Sequence, residues 1–218
     1  MGYSGAVKVG GPADVHELTD LMISKVAVGP MNNNAYVLRC RATDEQLLID
    51  AAADTHTLLS LIGDSGIASV VTTHQHGDHW GALREVVEAT GARTYAGRYD
   101  AEGIPVPTDV LVADGDTLTV GRVQLTARHL TGHTPGSIAL VYDDPHGAPH
   151  VFTGDCLFPG GVGNTWGDAE QFAGLLDDVQ TKLFDQLPDE TWVYPGHGND
   201  TTLGAERPHL PEWRERGW

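Results

Sequence analysis

Basic residues and cysteine are both scarce in this chain. Thirteen lysines and arginines face 30 aspartates and glutamates across 218 residues, for a formal charge of −17. A surface of that sign repels phosphate backbones and anionic lipid, which argues against nucleic acid and membrane surfaces as partners. Two cysteines, Cys40 and Cys156, are too few for a disulfide framework, so both are expected to be reduced and buried. The longest apolar runs, such as residues 58–62, fall far short of a bilayer span, and MGYSGAVKVGG lacks the basic start and apolar stretch of an export signal. A cytoplasmic protein is the expectation. Internal repeats and low-complexity tracts are missing too, and a hydrophobic fraction of 40% fits one globular domain over residues 1–218.

The elements follow from hydrophobic period and punctuation. QLLID (46–50), IASVVTTH (67–74) and TWVYP (191–195) read as short buried strands between turn residues. Residues 116–143 alternate, with Val123, Leu125 and Ala127 on one face and a tight hairpin turn at Gly121-Arg122. After Asp168 the period becomes helical: Phe172, Leu175, Leu176, Val179 and Leu183 share a face, and Asp168 with Gln171 resembles a capping box. Further helices are expected over residues 54–62 and 79–90, ending near Gly63 and Gly91. Both halves of the chain therefore mix strands with helices.

Residues 73–81, THQHGDHWG, pack three histidines and an aspartate into six positions. His74 and His76 stand two apart at the end of an apolar strand, where alternate side chains share a face and can meet at one point. Asp78 and His79 follow in a turn and point elsewhere, so two neighbouring metal sites are implied. Imidazole and carboxylate suit zinc, iron or manganese, and a two-metal centre needs about six or seven ligands with the ions roughly 3.5–4 Å apart. The remaining ligands must come from later loops. His133 in TGHTPGS, Asp155 in FTGDCLF and His197 in YPGHGND each stand at an apparent strand end beside glycines that let backbone approach closely.

THQHGDH, GHTPGS, TGD and PGH, in this order, resemble the metallo-β-lactamase superfamily over nearly the whole chain. The resemblance implies an α/β fold, a four-layered αββα sandwich with the metal site along one edge of its two sheets. It also implies that His74, His76 and His133 hold a first divalent ion and Asp78, His79 and His197 a second. Asp155 would bridge them, with hydroxide as the other bridge and Asp78 orienting that nucleophile. Zinc is the leading metal, with iron or manganese as substitutes.

Within the superfamily, GHTPGSI and TGDCLFPGG are most similar to glyoxalase II, the hydroxyacylglutathione hydrolases, of the short bacterial type. A small acyl thioester is then the expected substrate. Where glyoxalase II carries a lysine and a tyrosine that grip glutathione, this chain has Asn164 and Trp166. A mononuclear iron persulfide dioxygenase, a lactonase or a silent metal-binding module are the alternatives.

Other residues are weighed and set aside. Cys156 follows Asp155 on a strand end and should pack inward. His129 should face solvent from an alternating strand, and His16, His56, His146, His150 and His209 have no assigned role. Trp166 and Trp213 should cover core rather than wall a pocket. Arg207, Arg214 and Arg216 read as solvated surface, unless the tail folds back over the cleft to meet an anionic thiol cofactor.

Overall fold

The computed structural model describes residues 2–217. The first half of the chain builds a seven-stranded sheet in strict chain order: β1 (Asp14–Glu17), β2 (Leu21–Val28), β3 (Asn33–Cys40), β4 (Gln46–Ile49), β5 (Ser69–Thr72), β6 (Arg93–Gly97) and β7 (Val110–Val112). Short turns join β1 to β4, which pair antiparallel. From β4 onward the pairing is parallel, because α1 (Thr55–Ile62) and α2 (Leu83–Thr90) make the crossovers that parallel neighbours require.

The second sheet holds β8 (Thr117–Val120), β9 (Val123–His129), β10 (Ile138–Tyr142) and β11 (His150–Gly154). A small hairpin, β12 (Leu157–Phe158) and β13 (Gly161–Val162), and the helix α3 (Ala169–Val179) come next in the chain. The strands β14 (Trp192–Pro195) and β15 (Thr201–Thr202) complete this sheet, in the order β15-β14-β11-β10-β9-β8, and α4 (Leu203–Glu206) and α5 (Leu210–Arg216) end the chain.

Three apolar layers hold these elements together. Ile23, Leu38 and Ile49 of the first sheet meet Leu125, Leu140 and Phe152 of the second. On the outer face of the first sheet, Leu58, Ile62, Leu83 and Val86 of the helices cover Val37, Leu48 and Val70. On the other side Phe172, Leu175, Leu176 and Trp213 cover Val141, Val151 and Val193. Each such side chain contributes about 1.5–3 kcal/mol by leaving water. Helix, sheet, sheet and helix thus stack as the αββα sandwich.

Local elements depart from expectation where the cluster intervenes. The helix expected from His79 begins at Leu83, and Gly77–His79 forms a single 3₁₀ turn instead. Asp168 caps α3 by accepting from the backbone N–H groups of Glu170 and Gln171, and a π-type turn over Gln180–Phe184 continues that helix. Cys40 and Cys156 are both free and buried. No helix among the described residues is long and apolar enough to cross a membrane.

Candidate metal centre

β5, β11 and β14 end at the same edge of the sandwich, and each releases its ligand-type residue just past its last pair. Backbone bonds sew the two sheets together there: Ile138 N–H donates to Thr73 O at 2.9 Å, and Asn34 N–H donates to Gly196 O at 2.7 Å. His197 also bridges to Asn33 across the gap. Close approach requires glycine at Gly196, where a Cβ would collide with the Asp155 carboxylate and lie 2.8 Å from the His79 ring.

All seven residues singled out from the sequence converge at this edge. One nitrogen each from His74, His76 and His133 forms one group, and Asp78, His79 and His197 form another, with the atoms of each group within 4.8 Å of one another. Asp155 lies between them. Its Oδ1 is 3.4 Å from His79 Nε2, and its Oδ2 is 3.7 Å from His133 Nε2 and 3.4 Å from His197 Nε2. The convergence of His74 and His76 is made by the turn after β5 rather than by the strand pleat, since β5 ends at Thr72. The two groups also adjoin more closely than separate sites would, because the ring of His74 is nearer His79 than His76 (centroids 4.1 against 4.8 Å).

The far nitrogens decide which lone pairs face inward. His79 Nδ1–H donates to Asp50 Oδ2 at 2.8 Å, His133 Nδ1–H to Asn164 O at 2.9 Å and His197 Nδ1–H to Met31 O at 3.1 Å. Thr73 spends its hydroxyl proton on Asp50 Oδ2 (2.8 Å), so its oxygen accepts from His74 Nδ1–H at 3.0 Å. The four Nε2 atoms are thereby aimed at the cluster, the arrangement that orients metal-binding imidazoles, and an ion bound there would displace the proton that Asp50 and Asp155 favour on His79.

A cation fits this donor set. Of the three buried side-chain polar atoms lacking a hydrogen-bond partner among the described residues, two are His74 Nε2 and Asp155 Oδ1. Such orphans are costly unless something completes them. Burial, followed by the charge of His79, holds His74 well below the usual histidine range. Burial opposes charge on His79 as well, but Asp50 and Asp155 outweigh it and raise this group to about 10. Burial would raise Asp155, yet His197 and His79 hold it well below the usual carboxylate range. The site therefore sets an ionised carboxylate among inward-facing ring nitrogens and favours positive charge at its centre, which a proton on His79 supplies and a bound cation would replace.

The sequence reading missed the supports. Asp50 stands just past the end of β4, in left-handed backbone with φ of 58°, and closes the run QLLID. Asn33 was not noticed at all, although its Nδ2 donates to Asp78 Oδ2 at 2.9 Å and lies 3.4 Å from both His79 Nε2 and His197 Nε2.

Other expectations divide. Cys156 packs under α3, its thiol pushed up by burial. His129 is half-buried rather than exposed, 2.8 Å from the Pro135 carbonyl. His16 and His150 both bond the Tyr194 hydroxyl. Trp213 is core at 1% exposure, whereas Trp166 stands 65% exposed at the cluster's mouth. The tail arginines are engaged within the protein: Arg207 with Asp189, Arg214 with Asp177 and Arg216 with the Gly160 carbonyl of the β12–β13 hairpin.

The sequence profile of the metallo-beta-lactamase superfamily matches residues 28–197. The chain belongs to that superfamily. A hydroxyacylglutathione hydrolase of Polaromonas sp. (strain JS666 / ATCC BAA-500) is 33% identical over 180 residues, covering 81% of this chain and 66% of that one. Among solved metallo-beta-lactamase folds, ETHE1 from Myxococcus xanthus superposes with a TM-score of 0.76 at 30% identity, covering 88% of this chain and 84% of its own. TTHA1623 in a di-iron-bound form gives 0.67 at 32% identity, with 84% and 96% covered. Superfamily membership and the His/Asp cluster together make this a divalent-metal-binding protein of the metallo-hydrolase class.

Proposed function

We propose that this superfamily member is a binuclear hydrolase of small acyl thioesters in the cytoplasm. In this reading His74, His76 and His133 hold one divalent ion, Asp78, His79 and His197 hold the other, and Asp155 lies between both. Zinc suits the donors best, with iron or manganese as alternatives. The observation that carries the reading is the pair of complete ligand groups around one carboxylate, with the imidazole lone pairs aimed inward. The hydroxyacylglutathione hydrolase relative and the di-iron-bound neighbour support it.

Ions held there would supply a nucleophilic water near neutral pH and polarise the scissile carbonyl. The chain's own residues would do the rest. Asp78, steadied by Asn33, is placed to orient the attacking water through its carboxylate. Met31 O and Asn164 O fix the rings of His197 and His133. A departing thiolate needs little protonation, with a free thiol pKa of about 8.5, so no separate acid is required.

Metal analysis of the purified chain should find two ions per molecule, and Asp155→Ala should lose metal together with hydrolysis of S-lactoylglutathione or a related thioester. One iron per chain with persulfide-dependent oxygen uptake would overturn the proposal, and turnover of lactones alone would move the protein to a lactonase.

A further inference from the structure

Trp166 is hard to explain as structure. It exposes 65% of its surface, while Trp213 shows how this fold buries an indole that serves packing, at 1%. Its backbone is left-handed, with φ of 53°, a region unfavourable to a bulky side chain, although the flexible Gly167 is next in the chain. Strain of this kind gathers at functional sites and persists only where neighbours enforce it. Here they do. Asn164 Oδ1 accepts the Trp166 N–H at 2.7 Å, and the Asn164 carbonyl accepts from His133. Asp168 N–H returns to Thr165 O at 3.0 Å, and a Cβ on Gly163 would collide with the Asp155 carbonyl. The loop is therefore anchored to the cluster at one end and to the cap of α3 at the other.

That anchoring sets the indole over the first ligand group. Its ring stacks on His133 with centroids 5.4 Å apart at 26°, and it meets His76 edge-on at 5.4 Å. On the opposite side of the cluster, Met31 is 60% exposed beside His197, and Phe158 lies 6.4 Å from the His197 ring. A molecule whose carbonyl lies between the two groups thus has an aromatic surface at one end and an apolar rim at the other.

We propose that Trp166 is the specificity-determining platform of the site, and that it selects thioesters whose acyl group carries a planar aromatic ring. Ring-on-indole contact is favourable beyond the area it buries, a gain that a non-aromatic acyl group does not share. The choice of probes rests on the thioesterase reading above.

The test uses the metal-loaded protein and two thioesters of N-acetylcysteamine, the S-phenylacetyl and the S-acetyl. The wild type should favour phenylacetyl in kcat/KM, mostly through KM. Trp166→Ala should cut that preference at least tenfold while keeping the metal content, and Trp166→Phe should keep most of it. A preference that is absent, or that survives Trp166→Ala, overturns the inference while leaving hydrolysis intact. A second arm needs no turnover: phenylacetate should quench tryptophan fluorescence in the wild type and not in Trp166→Phe, whereas acetate should do neither. If neither thioester is cleaved, that titration alone decides, and equal quenching in both proteins sinks the platform.

Discussion

Asp50 sits behind the cluster, and its two oxygens reach three groups. Oδ1 accepts from Thr73 N–H at 2.7 Å, and Oδ2 accepts from the Thr73 hydroxyl and from His79. One carboxylate therefore fixes the tautomer of His79 directly and that of His74 through Thr73. Asp50→Asn nearly keeps the shape but replaces one acceptor oxygen by an NH2, so either the Thr73 N–H or the Thr73 hydroxyl and His79 together lose their acceptor. Loss of such a support typically costs 10–100-fold in metal affinity. Competition against a chelator should show that weakening, and an unchanged affinity would remove Asp50 from the site. His150 makes a different prediction. Burial, then the charge of His16, lowers it from 6.5 to about 4, so it stays neutral in the folded chain. As pH falls through the unfolded value of 6.5, the unfolded state takes up a proton that the native state refuses until about 4. Stability present above pH 6.5 is therefore lost across that window, by roughly 3 kcal/mol at most. Urea midpoints from pH 7.5 to 4 should fall less steeply for His150→Gln, and parallel curves would exclude this origin.

At the scale of elements, what was legible is what repeats. Strands β4, β5 and β14 announced themselves as short apolar runs between turn residues, helix α3 did so because several residues at one period share a face, and Asp168 marked its start. The convergence of the seven histidines and aspartates was legible for a related reason: histidine and aspartate beside glycine at strand ends form a pattern within a few positions. Asp50 and Asn33 were not, because each is one polar residue at a strand end with no such pattern around it, and its role arises from contacts 23 to 164 positions away. The start of α2 was misplaced because the ligand groups override helical propensity. His76 is extended, with φ −68° and ψ 139°, and Gly77–His79 turns once to aim Asp78 and His79 before the helix can begin at Leu83. A Cβ at Gly81 would lie 2.7 Å from the Ala52 carbonyl, which further limits the path of that connection. Trp166 was misjudged as core cover because exposure is settled by the loop that carries it, not by its own hydrophobicity.

Across the whole molecule, a buried ion pair joins the segment that carries His197 to a strand far from it in sequence. Lys25 of β2 and Asp200, just beyond the His197 loop, are both almost fully buried and meet at 2.6 Å. The ammonium spends its other donors on Gly198 O at 2.8 Å and Gly5 O at 2.7 Å, while Asp200 Oδ2 accepts from Tyr3 and Trp192. One cation thus ties the N-terminal segment, the first sheet and the His197 loop into a single unit. Lys25→Met strands a buried carboxylate with two neutral donors and leaves the Gly198 carbonyl only its second donor, Asn34 Nδ2 at 2.9 Å, a loss expected to cost about 3–5 kcal/mol. Adding Asp200→Asn removes the stranded charge and should restore part of that stability, giving a non-additive cycle in urea unfolding of the metal-loaded protein. The variant should also release metal to a chelator more readily, because the loop bearing His197 has lost one of its anchors and keeps those from Asn34 and Met31. Additive losses, or a Lys25→Met cost below about 1 kcal/mol, the level of an exposed pair, would show that the His197 loop is held by other contacts and that the pair is incidental.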